Sequence, residues 1–260
     1  MGTTYVYSII ILSIVILYLI SSFSFKDGLP TCNNFLINTY LYLAFSICYL
    51  GLLIHFIHTY IFNRENDRDK LMAKFMPYFI LLFISSLVLI YFIATQPTFE
   101  KDGTHVIKNH LLWIMFISMM AAIITPRVSL AMEKHINETI YIVSSIFIVM
   151  SSIVYMFPKF FTDTYNYMQS ALLISLIVII LLEIINAFVS DNVKHFIGNR
   201  RILSYIVIIL FSVYISYDTK KIIHLSNICI DYPNYPKTSV NFFLDIINLF
   251  SRILFLKSGK

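Results

Sequence analysis

Apolar stretches long enough to cross a bilayer follow one another along almost the whole chain, and this succession limits the fold more than any motif does. A helix needs about 20 mostly apolar residues to span the hydrocarbon core. Six runs meet or approach that length: Tyr5 to Phe25, Phe35 to Phe62, Phe75 to Ala94, a shorter His110 to Thr125, Glu138 to Phe157 and Tyr167 to Val189. A hairpin, Ile202 to Lys257, adds two arms joined by the Pro-punctuated link DYPNYP. Within lipid every backbone N–H and C=O must be satisfied internally, which leaves helices as the available solution. The expected class is all-α, a polytopic helical membrane bundle with eight candidate spans. The polar intervals are short loops, and residues that are 58% hydrophobic and 13% charged leave nothing for a soluble domain.

The same composition excludes several functions. A net charge of +5 suits contact with anionic lipid head groups, and no basic run is long enough to track nucleic acid. No nucleotide-binding glycine loop, Ser/His/Asp set or HExxH stands in the chain, so no enzyme is expected. The three cysteines show no CxxC spacing. Cys48 reads as a small core residue. Cys32 and Cys229 fall in loops that alternating spans put on one side, where a disulfide would form if that side is oxidising. His55 and His58, at i and i+3, lack a third metal ligand and read as interfacial. Arg127 reads as a snorkelling interface residue, and the sequon at Asn137 hugs a helix start. The first run has no basic n-region and no A-x-A-like site, so it reads as a retained anchor. NRENDRDK reads as a solvated turn, with Pro77 in the first turn of the third span. Pro126 is expected to stop or kink the fourth.

Within the hairpin, each arm carries one aspartate in apolar surroundings: Asp218 near the end of the first and Asp245 near the start of the second. An Asp at the centre of a membrane helix costs roughly 2.5–3.5 kcal/mol even on lenient insertion scales. Asp218 lies six residues before His224, and Asp245 six residues after Ser239. At 1.5 Å per residue, both sit about 9 Å below one membrane face, where antiparallel arms would bring them together. Asn241, Asp245, Asn248 and Arg252, spaced 4-3-4, share a helical face, as do Tyr214, Asp218 and Lys221. A second acidic position, Glu183 with Asn186 at i+3, lies near the end of the sixth run. It reads either as an ion-pair partner for a neighbouring cation or as a further cation-pathway site.

SVYISYDTKKI and NFFLDIINLFSRIL resemble the two signature segments of the Bax-inhibitor-motif transmembrane family, the YDT element of its sixth core helix and the LDIINLF element of its seventh. The resemblance is specific in the C-terminal quarter and compatible in pattern from about Phe35 onward. It implies a seven-helix core at residues 31–260 behind an additional anchor at residues 1–30. It also implies a proton-sensitive calcium leak, often associated with suppression of cell death, whose paired acidic sensor maps onto Asp218 and Asp245. Some members carry an arginine latch on the helix corresponding to Phe75–Ala94, and none stands there in this chain.

Chemistry alone leaves two readings of the aspartates open. In one they are a gate. Burial and mutual repulsion both oppose two ionised carboxylates side by side, so the pair shares a proton near neutrality and titrates as a coupled unit. Protonated, one carboxyl donates to the other and draws the helices together. Deprotonated, the pair repels itself and offers the oxygen ligands that calcium prefers, as a transient metal site with calcium the permeant ion and no cofactor. Tyr214, Asn241, Asn248 and Arg252 would form the supporting polar seam, with Arg252 a tempering counter-ion. In the other reading Asp218 pairs with Lys221 or Arg252 and merely staples the hairpin. The motifs favour the gate. The rivals are a non-conducting protein that holds a membrane-protein partner, and an intramembrane aspartyl hydrolase, which the missing GxGD context weakens. If all eight segments cross, Lys and Arg divide 12 to 7 out of 19 in favour of the side holding the termini, which puts both termini in the cytosol. A re-entrant last segment makes the split 9 to 10, and the resemblance implies instead that the hairpin loop with Lys220 and Lys221 faces the cytosol. The sequence leaves orientation open.

Overall fold

A computed structural model of the chain describes residues 3–62, 67–101, 103–188 and 200–258. Helices α1 (Thr3–Ser24), α2 (Phe35–Phe56), α3 (Arg68–Thr95), α4 (Val106–Ser129), α5 (Glu133–Met156), α6 (Pro158–Phe188), α7 (Arg200–Asn227) and α8 (Tyr235–Ser258) make up nearly all of these residues. A π turn at Ile57–Ile61 extends α2. Seven of the described helices are individually long and apolar enough to cross a bilayer, and α6, bent by 68° between Tyr165 and Tyr167, would supply an eighth span. The protein is an integral, multi-pass helical membrane protein.

Two boundaries differ from the sequence expectation. α3 starts at Arg68, seven residues before Phe75, because the Asp67 side chain accepts hydrogen bonds from the backbone N–H of Asp69 (3.0 Å) and Lys70 (3.3 Å). That cap satisfies two of the otherwise orphaned N-terminal donors. Pro77 therefore stands inside the helix and not in its first turn. Pro126 does not stop α4 either, which runs to Ser129. Proline removes one backbone donor. The carbonyl of Pro126 still accepts from Leu130 N (3.3 Å), and the Thr125 hydroxyl donates to the Ala121 carbonyl (2.6 Å), so the last turn closes.

By packing, the chain divides into two compact units, Met1–Glu133 with His224–Phe243 and Lys134–Ile223 with Leu244–Lys260. In the first, α1 packs on α2 and α4 packs on both α2 and α3. Tyr42, Trp113, Phe116, Tyr235, Phe242 and Phe243 are buried there. Tyr42 stacks on Tyr235 with centroids 5.5 Å apart and tilts against Trp113 at 5.2 Å. The hydroxyl of Tyr42 meets His110 Nε2 at 2.7 Å, and Trp113 Nε1 donates to Ser46 Oγ at 3.1 Å. Each polar edge of this aromatic cluster thus has a partner, as burial demands.

The loops of this unit form a knotted polar cap that the apolar pattern did not foretell. Strands β1 (Phe25–Lys26) and β2 (Leu29–Pro30) make a tight hairpin, with Asp27 and Gly28 at positive φ in its turn. β3 (Phe99–Glu100) pairs antiparallel with β4 (Tyr232–Pro233). Cys32 and Cys229 are joined by a disulfide across a separation of 197 residues. Asn234 N donates to the Thr98 carbonyl (2.9 Å), the Tyr235 hydroxyl donates to the Thr31 carbonyl, and Lys237 Nζ donates to the carbonyls of Ala94 (3.0 Å) and Gln96. The lysine places a cation on the exposed C-terminal carbonyls of α3, where the helix dipole favours it.

Candidate functional site: a buried aspartate pair

The site lies within the second unit and is built mainly on α7. A hydroxyl-bearing face anchors that helix to α5: Ser216 Oγ donates to the Met150 carbonyl (3.0 Å), and Thr219 Oγ1 reaches Ser151 Oγ (3.2 Å). A second face meets the first part of α6, where the rings of Tyr217 and Tyr165 stack 4.9 Å apart and Lys220 Nζ donates to Thr162 Oγ1 (2.7 Å). Residues 216 and 219, and 217 and 220, are i,i+3 pairs, so each face is one turn deep. Asp218 lies on the opposite side of α7 from both, about 130° around the helix from each, so the contacts that hold these two faces also fix where it points.

What Asp218 meets is Asp245 of α8. Their side chains are in hydrogen-bond contact, and they are 5% and 4% exposed, so both carboxyls are sealed from solvent. One oxygen, Asp245 Oδ2, is buried without a hydrogen-bond partner. Two carboxyl groups can bond to one another only when one holds a proton, because an ionised carboxylate has acceptors alone. Contact and burial therefore bring the two carboxyls to where a hydrogen bond between them requires a proton on one. Tyr214, half-buried, is near enough to interact electrostatically with both carboxyls, and Lys221 with Asp218.

The remaining residues of the polar stripe do other things. Arg252 forms an ion pair with Glu183 of α6, so the structure gives this arginine a partner of its own away from the aspartates. Lys257 reaches Glu138 of α5 at 2.9 Å. Asn248 Nδ2 donates to the Leu244 carbonyl one turn earlier (2.9 Å), a bond that stays within α8. Asn241 is half-buried. The side chain of Asn186 lies outside the described residues. Among the described residues no group of three or more His, Cys, Asp or Glu side chains gathers in a way that could hold a resident metal ion. The threonine of the sequon, Thr139, is fully buried, with its hydroxyl on the His135 carbonyl (2.7 Å).

Sequence reasoning did not find Ser216, Thr219, Tyr217 and Tyr165. The signal was present in part, since hydroxyls at i and i+3 beside an intramembrane acid mark a helix face turned to other helices. Their partners on α5 and α6 carry no complementary signature.

A model of the family described as inhibitor of apoptosis-promoting Bax1 matches residues 32–258, most of the chain and both aspartates included. The chain belongs to that family. No curated protein and no solved structure matches it. The Bax-inhibitor match begins at Cys32 and so leaves α1 outside the matched residues. The two segments that carry the aspartates of this Bax-inhibitor protein, YDT on α7 and LDIINLF on α8, lie within the match.

Proposed function

We propose that this Bax-inhibitor protein is a pH-sensitive calcium leak whose gate is the Asp218–Asp245 pair, and that it works without catalysis. The observation that carries the reading is the contact between two sealed carboxyls with one oxygen, Asp245 Oδ2, unpartnered. Sharing one proton, the pair bridges α7 to α8 and the path stays shut. As pH rises the proton leaves, two adjacent anions repel in a medium of low dielectric, and the helices part. The exposed carboxylate oxygens are then hard ligands suited to calcium as the passing ion. Leak therefore increases with pH. The family description supports a role in restraining cell death, for which calcium release from a store is a chemically reasonable route.

Calcium-dye-loaded liposomes carrying the protein test this between pH 6 and 8. Wild type is expected to leak more at the alkaline end, while Asp218→Asn and Asp245→Asn lose the pH dependence. A folded wild type that stays tight at every pH sinks the conduction reading and directs the search to membrane-protein partners.

A further inference from the structure

We infer that the loops capping the first unit face an oxidising, exoplasmic compartment, that α6 completes a crossing in spite of its bend, and that both ends of the chain lie in the cytosol. The motif hairpin would then present its loop on the side opposite to the one that family resemblance implies. The inference does not depend on whether the protein conducts.

Parity carries the first step. Cys32 is bonded to Cys229, and Phe99–Glu100 pairs with Tyr232–Pro233, so the segments before α2, between α3 and α4, and between α7 and α8 share one membrane side. Segments on one side must be separated by an even number of crossings. Between Cys32 and Phe99 stand α2 and α3, which satisfies the rule. Between Glu100 and Cys229 stand α4, α5 and α7, each a sufficient span alone, together with the bent α6. Three crossings would put β3 and β4 on opposite sides, so α6 must be the fourth. With α1 and α8 added, the chain crosses eight times and its termini share the side away from the cap.

Two features then choose the side. Disulfides form and persist in oxidising compartments and are rare where thiols are kept reduced. With eight crossings, Lys and Arg divide 12 to 7 out of 19 in favour of the terminal side, which the positive-inside rule makes cytosolic. The charge count applies once parity has set eight crossings, and the redox preference applies to the disulfide itself. The capped side does hold Lys26, Lys101, Lys108, Lys159, Lys220, Lys221 and Lys237. Two of these, Lys220 and Lys237, are engaged by Thr162 and by the C-terminal carbonyls of α3.

The test is thiol accessibility in sealed membrane vesicles of known sidedness, using full-length protein with Cys48→Ala as the background so that only an added cysteine is free. Met132→Cys and Arg200→Cys are expected to react with a membrane-impermeant maleimide from the cytosolic side, and Lys159→Cys only after the vesicles are opened. Labelling of positions 159 and 200 from the same side would mean that α6 does not cross, and would overturn the parity argument. The unmodified chain supplies a second readout that needs no variant. Denatured without reductant it should take one maleimide mass tag, at Cys48, and three after reduction. Three tags without reductant would show that the cap does not face an oxidising compartment.

Discussion

The two units handle buried polarity in opposite ways. In the first, unlike partners meet: Asn38 Nδ2 donates to the Phe23 and Asn33 carbonyls (3.1 and 2.8 Å) and lies 3.0 Å from the Tyr235 hydroxyl, Lys237 caps a helix end, and a disulfide closes the loops. In the second, like meets like, with two buried carboxyls in contact. The first arrangement is at its best in a single protonation state and a single geometry. On the proposed reading, the second is stable only while a proton is present. A cap of complementary partners resists change, whereas a pair of like groups held by the packing of neighbouring helix faces responds to it.

Breaking the second arrangement should have the largest functional effect. Asp245→Asn supplies a permanent donor to Asp218 and removes one charge, so calcium flux should lose its pH dependence while the protein remains folded. A pH profile unchanged from wild type would place the gate elsewhere. In the first unit the effect should be on stability. Reducing the Cys32–Cys229 bond, or replacing both residues by serine, should cost about 2–5 kcal/mol. It should appear as a lower unfolding temperature in detergent, with the pH response of the flux retained. Tyr235→Phe removes the donor to the Thr31 carbonyl and a neighbour of Asn38, a loss of about 1–2 kcal/mol on the same thermal assay. Glu183→Gln should have the smallest effect, about 0–1 kcal/mol, because its pair with Arg252 is partly exposed. A loss of several kcal/mol there would mean that this ion pair, and not the hydroxyl faces of α7, holds the second unit in place.

The sequence made the second unit's aspartate pairing visible and, apart from the Cys32–Cys229 bond, left the first unit's cap unseen. Asp218 and Asp245 could be paired in advance because both are costly exceptions in apolar runs and both lie six residues from a polar boundary. Helix arithmetic is reliable over so short a span. The cap is made of two-residue strands, and two residues carry no periodicity. Its disulfide joins residues 197 positions apart and was legible only through the alternation of spans, which put Cys32 and Cys229 on one side. The start of α3 was missed because Asp67, in a charged stretch, has the composition of a turn although it acts as a helix cap. Arg252 shares a helical face with Asp245, yet its partner Glu183 comes from another helix, and one helix's periodicity cannot report what packs against it.

The shared proton is the central claim, and infrared difference spectroscopy of the reconstituted protein, titrated through neutrality, reads it through the carboxylic-acid carbonyl. The account predicts one titrating acid band in wild type that is missing from the Asp218→Asn, Asp245→Asn double variant. A wild type with no such band, or a double variant that keeps it, would contradict a proton held between the two aspartates.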